Sequence, residues 1–169
     1  MAVISIKRLS RLRLALVLVG LLSGAVPAAA QDFRRGLSAF NRGQYGETLQ
    51  QWLPLARLDD ADAQAGLGYL YFKGLGVPQD YTQAAIWFRR AAEHGQPEAQ
   101  LLFGLLNYYG EGITQSYVLA YKWCELAQSN GASYALPCRE AAELRMTQAE
   151  LAESARLIDD WFARRKHLP

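Results

Sequence analysis

Histidine and cysteine are scarce in this chain of 169 residues, with two of each. The histidines, His94 and His167, are far apart in the sequence and far from any Cys pair with zinc-site spacing, so no metal centre is expected. No Ser/His/Asp grouping is legible, which argues against a hydrolase triad. Gly74-Leu75-Gly76 has neither a preceding strand nor the further glycine of a dinucleotide loop. No cofactor is expected.

Long apolar runs are also lacking, with one exception. Leu14 to Val26 is apolar, is preceded by Lys7, Arg8, Arg11 and Arg13 without an acid, and is followed by Pro27 and Ala28-Ala29-Ala30. A basic start, a short apolar core and small residues before a cut form the pattern of a secretory signal. The core is short for a membrane span of about 20 residues. No cysteine follows it to carry a lipid. Residues 1–30 are therefore expected to be a cleaved signal, with the mature chain in the periplasm or secreted and not inserted in the membrane. The other reading is an uncleaved N-terminal anchor.

Cleavage after Ala30 changes the charge. The chain holds 18 basic and 16 acidic residues, and the four basic residues named above leave with the signal. The mature part then has 14 basic against 16 acidic residues. The excess of positive charge belongs to targeting, and no nucleic-acid partner is expected.

What is present is repetition. At an offset of 36 residues, Ala63–Tyr134 matches itself at 12 of 36 positions, including Gly68/Gly104, Gly74/Gly110, Gly76/Gly112, Tyr81/Tyr117, Trp87/Trp123 and Gly95/Gly131. A period in the thirties indicates stacked supersecondary units. Ala63, Leu67, Leu70 and Tyr71 line one face of a first helix. Gly68 allows close approach of a partner helix, and Gly74 ends the first helix. Pro78 cannot continue a helix, and Asp80 is placed to cap the second. Tyr81, Ala84, Trp87, Phe88 and Ala91 form the buried stripe of that second helix.

These residues carry a resemblance. Leu67-Gly68 with Tyr71, Gly74 to Val77, Asp80-Tyr81 with Ala84 and Trp87, and Ala91-Ala92-Glu93 with Gly95 resemble the Sel-one-like repeat, a relative of the tetratricopeptide repeat. The resemblance implies an all-α, right-handed α/α solenoid of about three helical hairpins with a C-terminal closing helix. It also implies protein–protein contact without catalysis. A single repeat domain, 31–169, is expected: a tetratricopeptide-like copy at 31–60, repeats at 61–96 and 97–132, and C-terminal helices at 133–169.

The outer copies depart from the pattern. Thr48 stands in copy one where a small alanine is expected. In copy three, Asn107 replaces Tyr71, Thr114 replaces Pro78, and Ser116 replaces Asp80 but can still cap. A helix from about Ser133 to Arg145 looks like the first half of an unfinished copy. Thr147 and Glu150 form a capping box for the last helix. Its apolar face is read as Leu151, Ala155, Ile158 and Phe162, with Trp161 beside it. Trp52, Trp87 and Trp123 are read as core residues at one helical station. Arg164-Arg165-Lys166-His167 is read as a solvated basic end, and Asp59, Asp60 and Asp62 as loop and helix-start charges.

Cys124 and Cys138 lie seven residues on either side of Gly131, at similar height if a helical hairpin turns there. An exported compartment permits a bridge, and two small buried thiols are the other reading. Related exported repeat proteins staple helix pairs in this way, so the resemblance favours the disulfide.

Solenoids of this kind line their concave side with the first helices. The residues left free there are Arg35, Ser38 and Asn41 in copy one, Tyr69, Phe72 and Lys73 in copy two, and Leu105, Tyr108 and Tyr109 in copy three. They are the expected binding face for another envelope protein or peptide. The alternative is that Phe72 and Tyr109 pack on the neighbouring repeat. The leading functional expectation is a non-enzymatic adaptor or regulator. The alternatives are a structural subunit of a secretion or polysaccharide-export complex, and a β-lactam or cell-wall hydrolase. The oligomeric state is not specified by any of these features.

Overall fold

The computed structural model describes residues 28–166. Apart from the start of the first helix, the features below lie in the compact unit Asp32–Pro169. The expected signal core and His167 fall outside the described residues.

The described residues form eight helices and no strand. They are α1 (Ala28–Asn41), α2 (Tyr45–Arg57), α3 (Ala61–Lys73), α4 (Tyr81–Glu93), α5 (Pro97–Tyr109), α6 (Tyr117–Ser129), α7 (Ala135–Glu143) and α8 (Gln148–Arg165). Consecutive helices from α2 to α7 pack on one another, as in an α/α solenoid. The chain chemistry at the helix ends explains the segmentation. Asp60, Asp80 and Ser116 accept bonds from the backbone N–H groups of Ala63, Gln83 and Leu119 at 2.8, 3.0 and 3.2 Å. The Thr147–Glu150 capping box is formed in both directions. Gly74 and Gly110 end α3 and α5 in the left-handed conformation, which costs glycine little.

Glycine also sets the contact between paired helices. A Cβ on Gly36 would come 2.4 Å from Trp52, one on Gly68 2.5 Å from Phe88, and one on Gly104 2.5 Å from the sulfur of Cys124. Each pair joins the first and second helix of one copy. The packed group shrinks from indole to phenyl to thiol along the chain.

Two tryptophan expectations need correction. Trp52 stands at the station of Phe88 and Cys124; the station of Trp87 and Trp123 is occupied by Gln51. Trp87 is half-buried with the Arg90 guanidinium above its ring, whereas Trp52, Trp123 and Trp161 are buried.

Repeats stack through other features. Gly76 and Gly112 rest on the starts of α2 and α4, where a Cβ would lie 2.7 Å from Tyr45 and 2.3 Å from the Tyr81 backbone. The buried amides Gln64 and Gln100 each donate to the end of the preceding helix, at Ala56 O (3.0 Å) and Ala92 O (3.2 Å). These bonds satisfy carbonyls that a helix end leaves free. Thr48 is fully buried and donates to Gln44 O and Gly36 O, so its hydroxyl is accommodated where alanine was expected.

The C-terminal part differs in detail from the sequence reading. Helix α7 is shorter than expected, and Leu136 on it and Leu144 just after it stay exposed. Helix α8 closes apolar surface by packing back on α6. Its inward face is Leu151, Ser154, Ile158 and Trp161, while Ala155 and Phe162 are exposed. Ser154 donates to Val118 O at 3.1 Å, which brings a small polar residue to the contact. The basic end is not simply solvated. Arg165 donates to Glu93 O at 3.0 Å at the end of α4 and covers the Trp161 ring. There a cation meets the negative end of another helix.

Candidate interaction surface

Two regions of the solenoid carry side chains that the fold leaves available. The first is the expected face of the first helices. Arg35, Ser38 and Asn41 are exposed on α1. Arg35 pairs with Asp32 at 3.6 Å, and Ser38 accepts a bond from Arg42 at 2.6 Å. Tyr69 is exposed and meets Phe40 edge-on, so it joins copy two to copy one. Phe72 is half-buried against Tyr81 and Phe88 of its own hairpin, with the Lys73 ammonium 5.0 Å from its ring centre. Leu105 is half-buried. Tyr108 is held between Tyr109 and Tyr117, and Tyr109 remains 63% exposed. Gln79 and Gln115 anchor the ends of this face by donating to Phe72 O and Tyr108 O at 2.9 and 2.7 Å.

The second region escaped the sequence reading. A cleft of about 300 Å³ lies between the second helices α4 and α6, floored by α5. Arg89 and Glu93 border it from α4, Phe103 and Asn107 from α5, and Lys122 and Trp123 from α6. None of the nine first-helix residues lines it. A smaller cleft of about 150 Å³ also borders on Arg89 and Phe103. Asn107 is buried, and its amide donates to Phe103 O at 2.7 Å. It is also smaller than Tyr71, its counterpart in copy two, and it lines the cleft.

Lys122 is the unusual member. It is only 6% exposed, and its ammonium lies 4.1 Å from the centre of the Trp123 ring. Burial lowers its pKa, opposed by Glu93, while Arg164 and Asp160 of α8 add small effects of opposite sign. Its counterpart in copy two is Ile86, which is exposed. The repeat pattern therefore points to an exposed Lys122. Charges from both α4 and α8 act on it.

Other chemistry-bearing residues have structural roles. Cys124 and Cys138 form a disulfide between α6 and α7, with Cα atoms 5.9 Å apart. Asp60 caps α3, as expected for the acidic run. Asp59 does more than sit in a solvated loop. Its carboxylate accepts bonds from Arg90 and Gln64 at 3.0 and 3.1 Å and lies 3.8 Å from His94. Among the described residues, no group of three or more His, Cys, Asp or Glu side chains is arranged to hold a metal ion. No helix among them is long and apolar enough to cross a membrane.

Comparison with known proteins fits this architecture. The Sel1 repeat family model matches residues 61–96 and 97–131. A protective antigen present in uropathogenic Escherichia coli strains, with an SLR fold, superposes at a TM-score of 0.75 and 29% identity. That match covers 80% of this chain and 30% of the antigen. A Sel1 repeat protein from Oxalobacter formigenes superposes at a TM-score of 0.60 and 30% identity, over 63% of this chain and 44% of that one. The chain thus spans under half the length of either structure. No curated protein matches it. The chain thus carries two Sel1 repeats within a solenoid similar to these SLR-fold structures, and Sel1 repeats generally mediate protein–protein interaction.

Proposed function

We propose that the chain is an exported, non-enzymatic docking module that acts as an adaptor or regulator of another envelope protein. The carrying observation is the exposure of Tyr69 and Tyr109 on first helices whose ends are fixed by glycine caps and glutamine bonds. Large aromatic side chains on a rigid support lose little entropy on binding, so a partner helix or peptide gains most of their burial. The N-terminal pattern of basic, apolar and small residues supports export to the periplasm.

A photoreactive residue placed at Tyr69 or Tyr109 tests the docking reading in cells. One dominant crosslinked protein, absent when the same residue is placed at exposed Ala155, is the expected result. A spread of weak adducts, or the same band from Ala155, overturns it. N-terminal sequencing of the protein expressed with its leader tests export. A mature start at Gln31 is expected, and an intact Met1 in the cytoplasmic fraction contradicts it.

A further inference from the structure

The cleft between α4 and α6 holds a buried cation that no carboxylate contacts directly. Lys122 lines it while nine-tenths buried. Among the described residues no carboxylate lies within 4.0 Å of its ammonium. Arg89 borders the same space from the facing helix, Glu93 is the one acid in the lining, and Asp160 and Arg164 of α8 act on Lys122 with opposite signs from outside it. Withdrawing an ammonium from water is costly unless an anion or several acceptors compensate it. The face of Trp123 offsets part of that cost. A methionine of similar length would fill the position without any such cost, so the lysine is poorly explained as a packing residue.

The rest of the lining is apolar: Phe103 on the floor, Ile113 in the turn, Leu119 and Trp123 on α6. Charge and apolar wall are adjacent, since Lys122 lies directly over Trp123. A ligand matching both must carry a carboxylate and an apolar body only a few bonds apart. An apolar residue at the end of a polypeptide has that form, with both groups on one Cα. An internal Asp or Glu does not, because its charge is at the tip of the side chain. The space, about 300 Å³, is at the lower end of ligand-pocket sizes and suits a single residue.

The geometry points to this cleft as a receptor for the C-terminal carboxylate of a partner chain ending in an apolar residue. The carboxylate meets Lys122, Arg89 lies across the cleft, and the terminal side chain packs on Phe103, Ile113 and Leu119. This inference rests on the docking reading above and names the chemistry of one docked segment. It places that segment on the second helices, away from Tyr69 and Tyr109.

N-acetyl-phenylalanine is a minimal probe of such a chain end. Titrated into the isotope-labelled mature protein, it is expected to shift backbone amide resonances at Phe103, Asn107, Ile113 and Leu119. N-acetyl-phenylalaninamide, which lacks the charge, should bind at least about tenfold more weakly, the scale of one charge-assisted bond. A blocked dipeptide with aspartate before phenylalaninamide tests an internal acid and should also bind weakly. K122M should match the weakness of the amide while its thermal midpoint stays the same or rises. E93Q should tighten binding by removing the competing acid, and it provides an independent reading if K122M folds poorly. Equal binding of acid and amide, better binding of the internal acid, shifts outside the cleft, or unchanged affinity in both variants overturns the inference. Partner crosslinking at Tyr109 that survives K122M, with no cleft shifts, would remove this inference and leave the docking reading. Specific cleft shifts without any crosslinked partner would do the reverse.

Discussion

The indole of Trp52 lies against the α-carbon of Gly66: a Cβ there would stand 2.5 Å from ring atoms Cε3 and Cζ3. Gly36 holds the other side of the same ring, so one tryptophan is clasped between α1 and α3. Its indole N–H donates to Phe33 O at 3.2 Å, which fixes the ring plane. Trp52 and Gly66 are 14 residues apart, and the disulfide between Cys124 and Cys138 has the same separation. By the 36-residue register, Gly66, Leu102 and Cys138 are equivalent, as are Trp52, Phe88 and Cys124. One inter-repeat station is thus filled by a ring on a glycine at the start of the solenoid and by a covalent bond near its end.

This clasp makes Gly66→Ala destabilising although alanine favours helix. Overpacking a well-filled site costs about 1–3 kcal/mol, and the gain in helix propensity offsets up to about 1 kcal/mol of it. Gly46, also helical, has nothing within 4 Å of a built Cβ. Gly46→Ala should therefore stabilise the fold by about 0.5–1 kcal/mol. Thermal midpoints of the two variants should move in opposite directions. A rise in both would mean that the Trp52 clasp yields freely.

The disulfide should matter more than either glycine. A closed loop of about 15 residues contributes roughly 3 kcal/mol through the unfolded chain. Reduction, or the double change Cys124→Ser with Cys138→Ser, is expected to lower the midpoint by roughly 10 °C for a domain of this size. The unreduced mature protein should resist thiol alkylation until a reductant is added. Immediate alkylation of two thiols would show the sulfurs to be free.

At the repeat boundary, Gly112 is the most restrictive position. Its φ is 73°, and a Cβ would lie 2.3–2.5 Å from backbone atoms of Tyr81 and Thr82. Backbone cannot rotate away as a side chain can, and the left-handed conformation adds about 1–2 kcal/mol for alanine. Gly112→Ala should exceed Gly66→Ala in cost and should loosen α4 from the following repeat. Faster amide exchange near Tyr81 is the measurement. Slow exchange there with an unchanged midpoint would refute the close approach.

The hairpins, the capping residues and the turn glycines were legible because they recur at one period. Features that do not recur were harder to see. Gly66 is equivalent to Leu102 and Cys138, so its packing role leaves no repeated letter. The tryptophan register was misread by one residue because Trp52 resembles Trp87 in type while sharing the station of Phe88. Apolar spacing along α8 selects Leu151, Ala155, Ile158 and Phe162, of which Leu151 and Ile158 do face inward while Ala155 and Phe162 are exposed. The structure instead turns Ser154 and Trp161 inward, because a helix crossing α6 needs a small residue at the close contact. The burial of Lys122 has no counterpart at Ile86, its equivalent in copy two, so the repeat does not encode it.

Asp59 gives a pH-dependent prediction. It has a left-handed φ of 65° at the station occupied by Gly95 and Gly131 in later copies. Its bond with Arg90 is the largest influence on its carboxyl and, with those of Gln64 and His94, holds the pKa below the ordinary 3.8. A carboxyl with a lowered folded pKa stabilises the fold above its unfolded value, and that contribution is lost as pH falls through the folded value. The effect should thus be present near neutrality and fade as pH falls below about 5 and on through the folded value, which lies under 3.8. Because Asp59 is exposed, it should be modest and sensitive to salt. Asp59→Asn tests it cleanly. Asparagine tolerates the left-handed backbone and keeps an oxygen for Gln64, but it removes the charge facing Arg90. The variant should have a lower midpoint than the wild type near neutral pH, with the two curves converging as pH falls below the folded value. Curves that stay parallel across the whole range would mean that Asp59 acts through its backbone conformation alone, with the Arg90 contact contributing nothing.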